Sequence, residues 1–348
     1  MKVITVPNVH TALPVAVRYL LDHGIRRDSR NGPVIVAPEP VTTVYTRPLE
    51  RVIFWPERDA NPFFHVYEAL WMLAGRNDIA PLVRYAKNMA QFSDDGVTQH
   101  GAYGHRWRQA FSTFPSNYAP ADQLEPIARR LRENPDDRRC VLQMWQSSRD
   151  LDSPSKDVPC NTMATFQRDP NGALHLTVFC RSNDIVWGAY GANAVHMSFL
   201  LEYMARWIGC DVGTYTQVSV NWHGYLSTLE GVKTLGSTID FRGNPYTMDG
   251  GVKHVLMPNG SIADLDRTIA HLLKAADEGD TAEGAVESEW EGVMNTLLSA
   301  HHLYRTLPAP FRYTEAIDLL NGVEDSVDWI VAGREWIERR KAAWEAKQ

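Results

Sequence analysis

Cys160 follows Pro159 directly, in Asp157-Val158-Pro159-Cys160-Asn161-Thr162, and is one of four cysteines in a chain of 348 residues. Proline fixes its own φ and biases the residue before it toward extended backbone, so Val158-Pro159 brings the chain into Cys160 along a stiff path. That path suits a nucleophile. It also suits a buried corner in which the thiol is only a small hydrophobe. Cys140, Cys160, Cys180 and Cys210 are spaced widely and irregularly without a CxxC pair, which fits neither a zinc site nor a disulfide framework, and reduced thiols are expected. Other reactive types gather at intervals. Arg26, Arg27 and Arg30 crowd one turn-rich stretch that ends in Asn31-Gly32-Pro33 and asks for an anion. Arg138-Arg139 form a second basic pair, and His223 and Tyr225, two apart, project to the same side of an extended segment.

These residues need elements to position them. Residues 11–24 read as a helix ending at Gly24, followed by a basic loop over 26–33. Residues 63–75 form a strongly apolar helix closed by glycine, with Glu68 its one carboxylate. Strands are expected over 164–168 and 173–181, joined by the turn Asp169-Pro170-Asn171-Gly172. Alternation puts Leu174, Leu176, Val178 and Cys180 on one face and aims Arg181 from the other. A helix apolar all round, and so central, spans 191–209, and charged helices follow over 262–277, 282–305 and 313–347. With 44% hydrophobic residues, a net charge of −7 and no repeat or long linker, the chain reads as one α+β domain over 1–348, with a core about 15–230 and a helical C-terminal portion about 261–348. The charge argues against a nucleic-acid surface. No signal-peptide-like or membrane-length apolar run occurs, so a cytoplasmic location is expected.

Six motifs then appear in order: Glu68-Ala69-Leu70-Trp71 with Gly75; 101–108, Gly-Ala-Tyr-Gly-His-Arg-Trp-Arg; Arg138-Arg139; Pro159-Cys160; Arg181-Ser182-Asn183-Asp184 with Gly188; and His223-Gly224-Tyr225. Over roughly residues 15–230 this resembles the thymidylate synthase superfamily, which holds the synthases and the phage-type pyrimidine nucleotide hydroxymethylases. The resemblance implies a mixed β-sheet packed with helices, a sheet-to-sheet homodimer, and 5,10-methylenetetrahydrofolate as one-carbon donor, with no metal. It implies that Cys160 adds to C6 of a pyrimidine nucleoside monophosphate, because C5 is a poor nucleophile until a thiolate turns it into an enol-like carbon. Arg181 would sit beside the thiolate and, with Ser182 and Arg30 (Arg27 being the alternative), hold the phosphate. Arg138 and Arg139 would reach across from the partner subunit. His223 and Tyr225 would bind the sugar, Tyr103 would help move the C5 proton, Glu68 would order water for proton transfers, and Asp184 would bind the pterin.

The departures from the synthase pattern set the expected branch. Asn161 stands where synthases carry a histidine. The base-reading asparagine is displaced by one residue, to Asn193, with Gly191 to absorb the insertion. Met89 replaces a tryptophan near the folate, and the chain ends Ala346-Lys347-Gln348 without the apolar C-terminal residue that synthases fold over the folate. Both changes loosen the exclusion of water, which converts an exocyclic methylene to hydroxymethyl where hydride would give methyl. The expectation is therefore a deoxynucleotide 5-hydroxymethyltransferase, dCMP ahead of dUMP, with Asn193 and Asn161 at the base and Met89 at the folate. The alternatives are a thymidylate synthase or methylating cytidylate relative, a non-catalytic nucleotide- or RNA-binding paralogue, and an unrelated cysteine hydrolase.

Overall fold

A computed structural model describes residues 1–111, 122–237, 243–279, 287–324 and 326–348. The chain begins with strand β1 (Lys2–Val6) and helix α1 (Val9–His23), whose first turn is capped by the Asn8 side chain accepting the Thr11 N–H at 2.9 Å. Strands β2 (Ile25–Arg27) and β3 (Val34–Val36) form a hairpin, and β4 (Val41–Tyr45) follows. Arg26 and Arg27 thus lie on a strand. The expected loop over 26–33 shrinks to a tight turn in which Ser29 and Gly32 exchange backbone hydrogen bonds.

Helix α2 (Pro62–Leu73) starts on Asn61, whose side chain accepts the Phe64 N–H, with Pro62 at the first helical position. Short helices α3 (Ala80–Tyr85) and α4 (Tyr103–Arg108) and the longer α5 (Leu124–Glu133) lead to β5 (Val141–Gln143), α6 (Ser147–Asp150) and the long hairpin β6 (Asn161–Arg168) and β7 (Leu174–Asp184). Both hairpin strands are longer than expected, toward the reactive residues. The alternation itself holds: Leu174, Leu176, Val178 and Cys180 are buried and Arg181 is exposed.

The central helix α7 (Asn193–Ile208) begins two residues later than expected. Residues 185–192 wind instead as one wide π-type turn, broken at Tyr190 and Gly191. A wide turn of this kind accommodates one extra residue, and it falls where the insertion before Asn193 was expected. Every residue of α7 except Arg206 is buried. Strand β8 (Val212–Tyr225) and helix α8 (Leu226–Val232) complete the sheet region. Helices α9 (Ile262–Glu278), α10 (Glu289–Thr306), α11 (Phe311–Asn321) and α12 (Asp328–Glu345) form the C-terminal layer. The single helix expected over 313–347 is therefore two, and 282–286 of the expected 282–305 helix lie outside the described residues.

The sheet runs β1-β4-β8-β7-β6-β5, with β3 pairing the C-terminal end of β8 beyond β4. β7 and β8 are parallel, connected through α7, in a register that puts Ser182 beside Asn221 and Asp184 beside His223. Helices α1, α2 and α7 cover one face in a core continuous with the C-terminal layer. The opposite face carries Val141, Phe179 and Val220, exposed at 43%, 38% and 63%.

Candidate active site

Cys160 stands immediately before β6, where the ends of β7 and β8 and the start of α7 converge. The Arg181 guanidinium holds this elbow: Nε donates to the Pro159 carbonyl at 2.8 Å, Nη2 to that of Val158 at 3.0 Å, and Nη2 lies 4.0 Å from the Cys160 Sγ. Burial pushes the Cys160 thiol up, Arg181 pulls it down and Asp157 adds to the rise. Burial wins. The cation expected beside Cys160 is present, but it is outweighed, and something further has to favour the anion.

Tyr103 opens α4, which lies against the end of α2. The approach requires Gly104, since a Cβ there would stand 1.9 Å from the Met72 carbonyl oxygen. The Tyr103 hydroxyl so placed accepts the backbone N–H of Cys160 at 3.0 Å and of Asn161 at 3.1 Å. Both lone pairs are taken, and its own proton is left to donate into the site.

Glu68 projects from α2 toward His196 on α7, Oε2 to Nε2 3.2 Å, with side-chain exposures of 13% and 4%. Burial and then Asp157 raise the Glu68 carboxyl to about 8, while burial lowers His196 to about 3. The two shifts run in opposite directions and both favour the neutral form, and the contact between them is not an aligned hydrogen bond. Asp157 is held by the Gly101 N–H at 2.8 Å and is itself raised by burial.

Asn161 and Asn193, the expected base readers, are in contact: Asn161 Nδ2 donates to Asn193 Oδ1 at 3.1 Å. Asn193 Nδ2 donates onward to Asn183 Oδ1 at 3.0 Å, and Asn183 Nδ2 to Ser219 Oγ at 3.0 Å. Nearby, His223 Nδ1 bonds Asn221 Oδ1 at 2.9 Å, which leaves Nε2 as the acceptor of a neutral ring. Burial lowers His223 against the pull of Asp184. The Tyr225 hydroxyl accepts from Asn31 Nδ2 at 3.5 Å, so the Arg30 turn lies over the His223–Tyr225 pair. Ser182, half-buried on β7, neighbours the same strand end.

Asp184 caps the π-type turn, its Oδ1 accepting the Val186 and Trp187 N–H groups at 3.0 and 2.6 Å. The Trp187 indole is 56% exposed and backed by the Arg58 guanidinium 4.3 Å from its ring centre. A flat aromatic surface beside a carboxylate fits a heterocycle with ring N–H groups, as a reduced pterin has. Met89 sits half-buried in a 3-10 turn (Lys87–Phe92) packed on the core.

Arg138 and Arg139 do not join this cluster within one subunit. They precede β5, whose Val141 pairs Thr165, so they flank the far end of β6, about 20 Å along the strand from Cys160. Arg139 is forked on Asp137 at 2.9 and 2.6 Å. Sequence reasoning missed His196, the role of Asp157, Asn183 with Ser219, and Trp187. His196 lay hidden in an apolar run, and Asn183 inside a motif whose other members took the attention. Among the described residues no group of three His, Cys, Asp or Glu is placed to hold a metal.

A mixed sheet with a proline-led thiol at the convergence of three strand ends, a guanidinium on it and a buried carboxyl on the helix behind defines a class, and the thymidylate synthase family model matches residues 16–240. The chain belongs to that family. It is 47% identical to a deoxyuridylate hydroxymethyltransferase of Pseudomonas phage M6, over 100% of this chain and 97% of that one. It is 42% identical to the deoxyuridylate hydroxymethyltransferase of Bacillus phage SP01, over 54% of this chain and 49% of that one. These likenesses put it in the hydroxymethylase branch and make it a one-carbon transferase.

Proposed function

We propose that this enzyme transfers a one-carbon unit from 5,10-methylenetetrahydrofolate to C5 of dUMP and completes it as a hydroxymethyl group with water. The observation that carries the reading is the Cys160 thiol 4.0 Å from Arg181, with the Tyr103 hydroxyl on its backbone N–H. The names of the two phage relatives turn the sequence-based order of dCMP before dUMP toward dUMP.

Cys160 adds to C6 as the thiolate, which Arg181 favours against burial, and C5 gains the nucleophilicity to take the methylene carbon. The folate supplies that carbon when bound, and Asp184 and the Trp187 face would hold its pterin. Glu68, its carboxyl raised to about 8, gives a proton to the 4-oxygen as negative charge builds there and takes it back when C5 bonds to the methylene carbon and the carbonyl re-forms. Tyr103 orders the water that carries the C5 proton away. With that proton gone the bond from the transferred carbon to the folate nitrogen would break, releasing tetrahydrofolate; water then adds to the exocyclic methylene, Cys160 leaves C6, and the base re-forms. Arg181, Ser182 and Arg30 hold the phosphate from this subunit. Arg138 and Arg139 belong to the site of a partner docked on the uncovered sheet face, where Arg139 exchanges Asp137 for phosphate. His223 and Tyr225 take the sugar.

Incubation with methylenetetrahydrofolate and dUMP, then dCMP, followed by mass spectrometry and absorbance, tests this. The expected product is 5-hydroxymethyl-dUMP with tetrahydrofolate. Methylated nucleotide with stoichiometric dihydrofolate returns the chain to the synthases.

A further inference from the structure

Asn161, Asn193, Asn183 and Ser219 form one buried line of side chains, exposed at 0%, 8%, 2% and 1%, joined by bonds of 3.1, 3.0 and 3.0 Å. Gly188 makes room for the line: a Cβ there would stand 2.5 Å from Asn183 Oδ1 and 3.4 Å from Asn193 Nδ2. At one end Asn161 Oδ1 is buried without a partner. At the other end is a hydroxyl, which donates or accepts with equal ease. An asparagine amide offers C=O on one side and NH₂ on the other, so each member dictates the sense of the next. Neither the open carbonyl nor the hydroxyl dictates the sense of the whole. Reversing all three amides keeps all three bonds and exchanges the open carbonyl of Asn161 for an amino group.

The reversal matters for the base that Asn193 is proposed to read. Uracil presents an acceptor at position 4 and a donor at N3, whereas cytosine presents a donor and then an acceptor. One amide reads the first in one orientation and the second only in the other. We infer that Asn183 and Ser219, which do not touch the base, act with Asn161 to set the orientation of the base-reading Asn193, and that the line is built to reverse, so that the site admits both the 4-oxo and the 4-amino pyrimidine. This rests on the proposed reading of Asn193 as base reader. Selectivity in this chain is then a property of the line, and pinning either flank of Asn193 biases it.

A carboxylate accepts and does not donate. Asn183→Asp holds the Asn193 Nδ2 toward position 183, and Asn161→Asp holds it toward position 161, so the two substitutions fix opposite orientations. At pH 8, with wild type first shown to convert at least one nucleotide to its hydroxymethyl product, kcat/KM for dUMP and for dCMP is measured in all three proteins. If wild type makes no such product, the parent reading fails and not this one. The expected result is a change in the dUMP-to-dCMP ratio of about tenfold or more, in opposite directions for the two variants, as leaving one hydrogen-bonding edge mismatched requires. Should turnover be too slow, calorimetric affinities for the two nucleotides give the same ratio. If Asn161→Asp fails to fold, Asn183→Asp is compared with Asn183→Leu, and only the carboxylate is to shift the ratio. Shifts in the same direction, or equal losses on both nucleotides, overturn the proposal.

Discussion

Two buried carboxyls, Asp150 and Glu68, show what partners do to a charge. Burial pushes Asp150 up, but the Arg106 fork at 2.6 and 2.8 Å, the Gln146 N–H at 2.8 Å and His100 at 2.9 Å hold it below its usual range. Arg106 in turn donates to the Met144 and His100 carbonyls, each at 2.9 Å. Both oxygens of Asp150 are answered, and the cluster fixes the loop behind Tyr103. Glu68 has only a neutral imidazole in the poorer geometry of an unaligned contact, with a second carboxyl nearby, and rises to about 8. The satisfied pair is scaffold. The under-satisfied one is shifted toward holding its proton, which suits the proton-transfer role proposed for it.

The comparison is broken most sharply by removing Cys160, the thiol proposed as the nucleophile. Cys160→Ala is expected to lower turnover by at least about 10³-fold, with nucleotide binding retained in calorimetry. Arg106→Met leaves Asp150 buried and unpaired, and urea unfolding is expected to show a loss of about 3–5 kcal/mol, with kcat per folded molecule much less affected. Glu68→Gln should do the reverse: kcat falls by about 10²-fold or more while stability at pH 8 rises. The sign follows from the carboxyl. Its pKa goes from 4.5 in the unfolded chain to about 8 in the fold, so between those values the unfolded state has released a proton that the folded state keeps. Stability attributable to this group therefore declines as pH rises from 4.5 to about 8, and the glutamine variant lacks that slope in unfolding curves at pH 5 and 8.

The smallest effect concerns the distant arginines. Arg139→Ala is expected to raise KM for the nucleotide by about tenfold. Activity should return in part when a more damaging Arg138→Ala/Arg139→Ala double variant is mixed with Cys160→Ala, because each heterodimer regains one intact site. No recovery in demonstrated heterodimers would confine the phosphate site to one subunit.

Much of this was legible in the residues. The alternation along β7 separated the buried Cys180 from the exposed Arg181, and the Pro159 rule gave the elbow at Cys160, because both signals are local. The motif order gave the family, and its span of residues 16–240 agrees with the stretch of about 15–230 that carries the motifs. What escaped depended on tertiary approach. His196 looks like any polar residue in a buried helix until α2 brings Glu68 to 3.2 Å, and Asn183 gains its meaning only when the π-type turn carries Asn193 back onto it. The 26–33 stretch read as a loop because its arginines masked a three-residue strand whose partner, β3, depends on β8.

The hydroxymethylase reading turns on where an oxygen atom comes from. A single turnover of dUMP with methylenetetrahydrofolate in ¹⁸O-labelled water, followed by mass spectrometry of the nucleotide and absorbance of the folate, reads this directly. The product is expected to carry one ¹⁸O in a new hydroxymethyl group, with no dihydrofolate formed. A nucleotide heavier by a methyl group alone, without the label and with one equivalent of dihydrofolate, would contradict it.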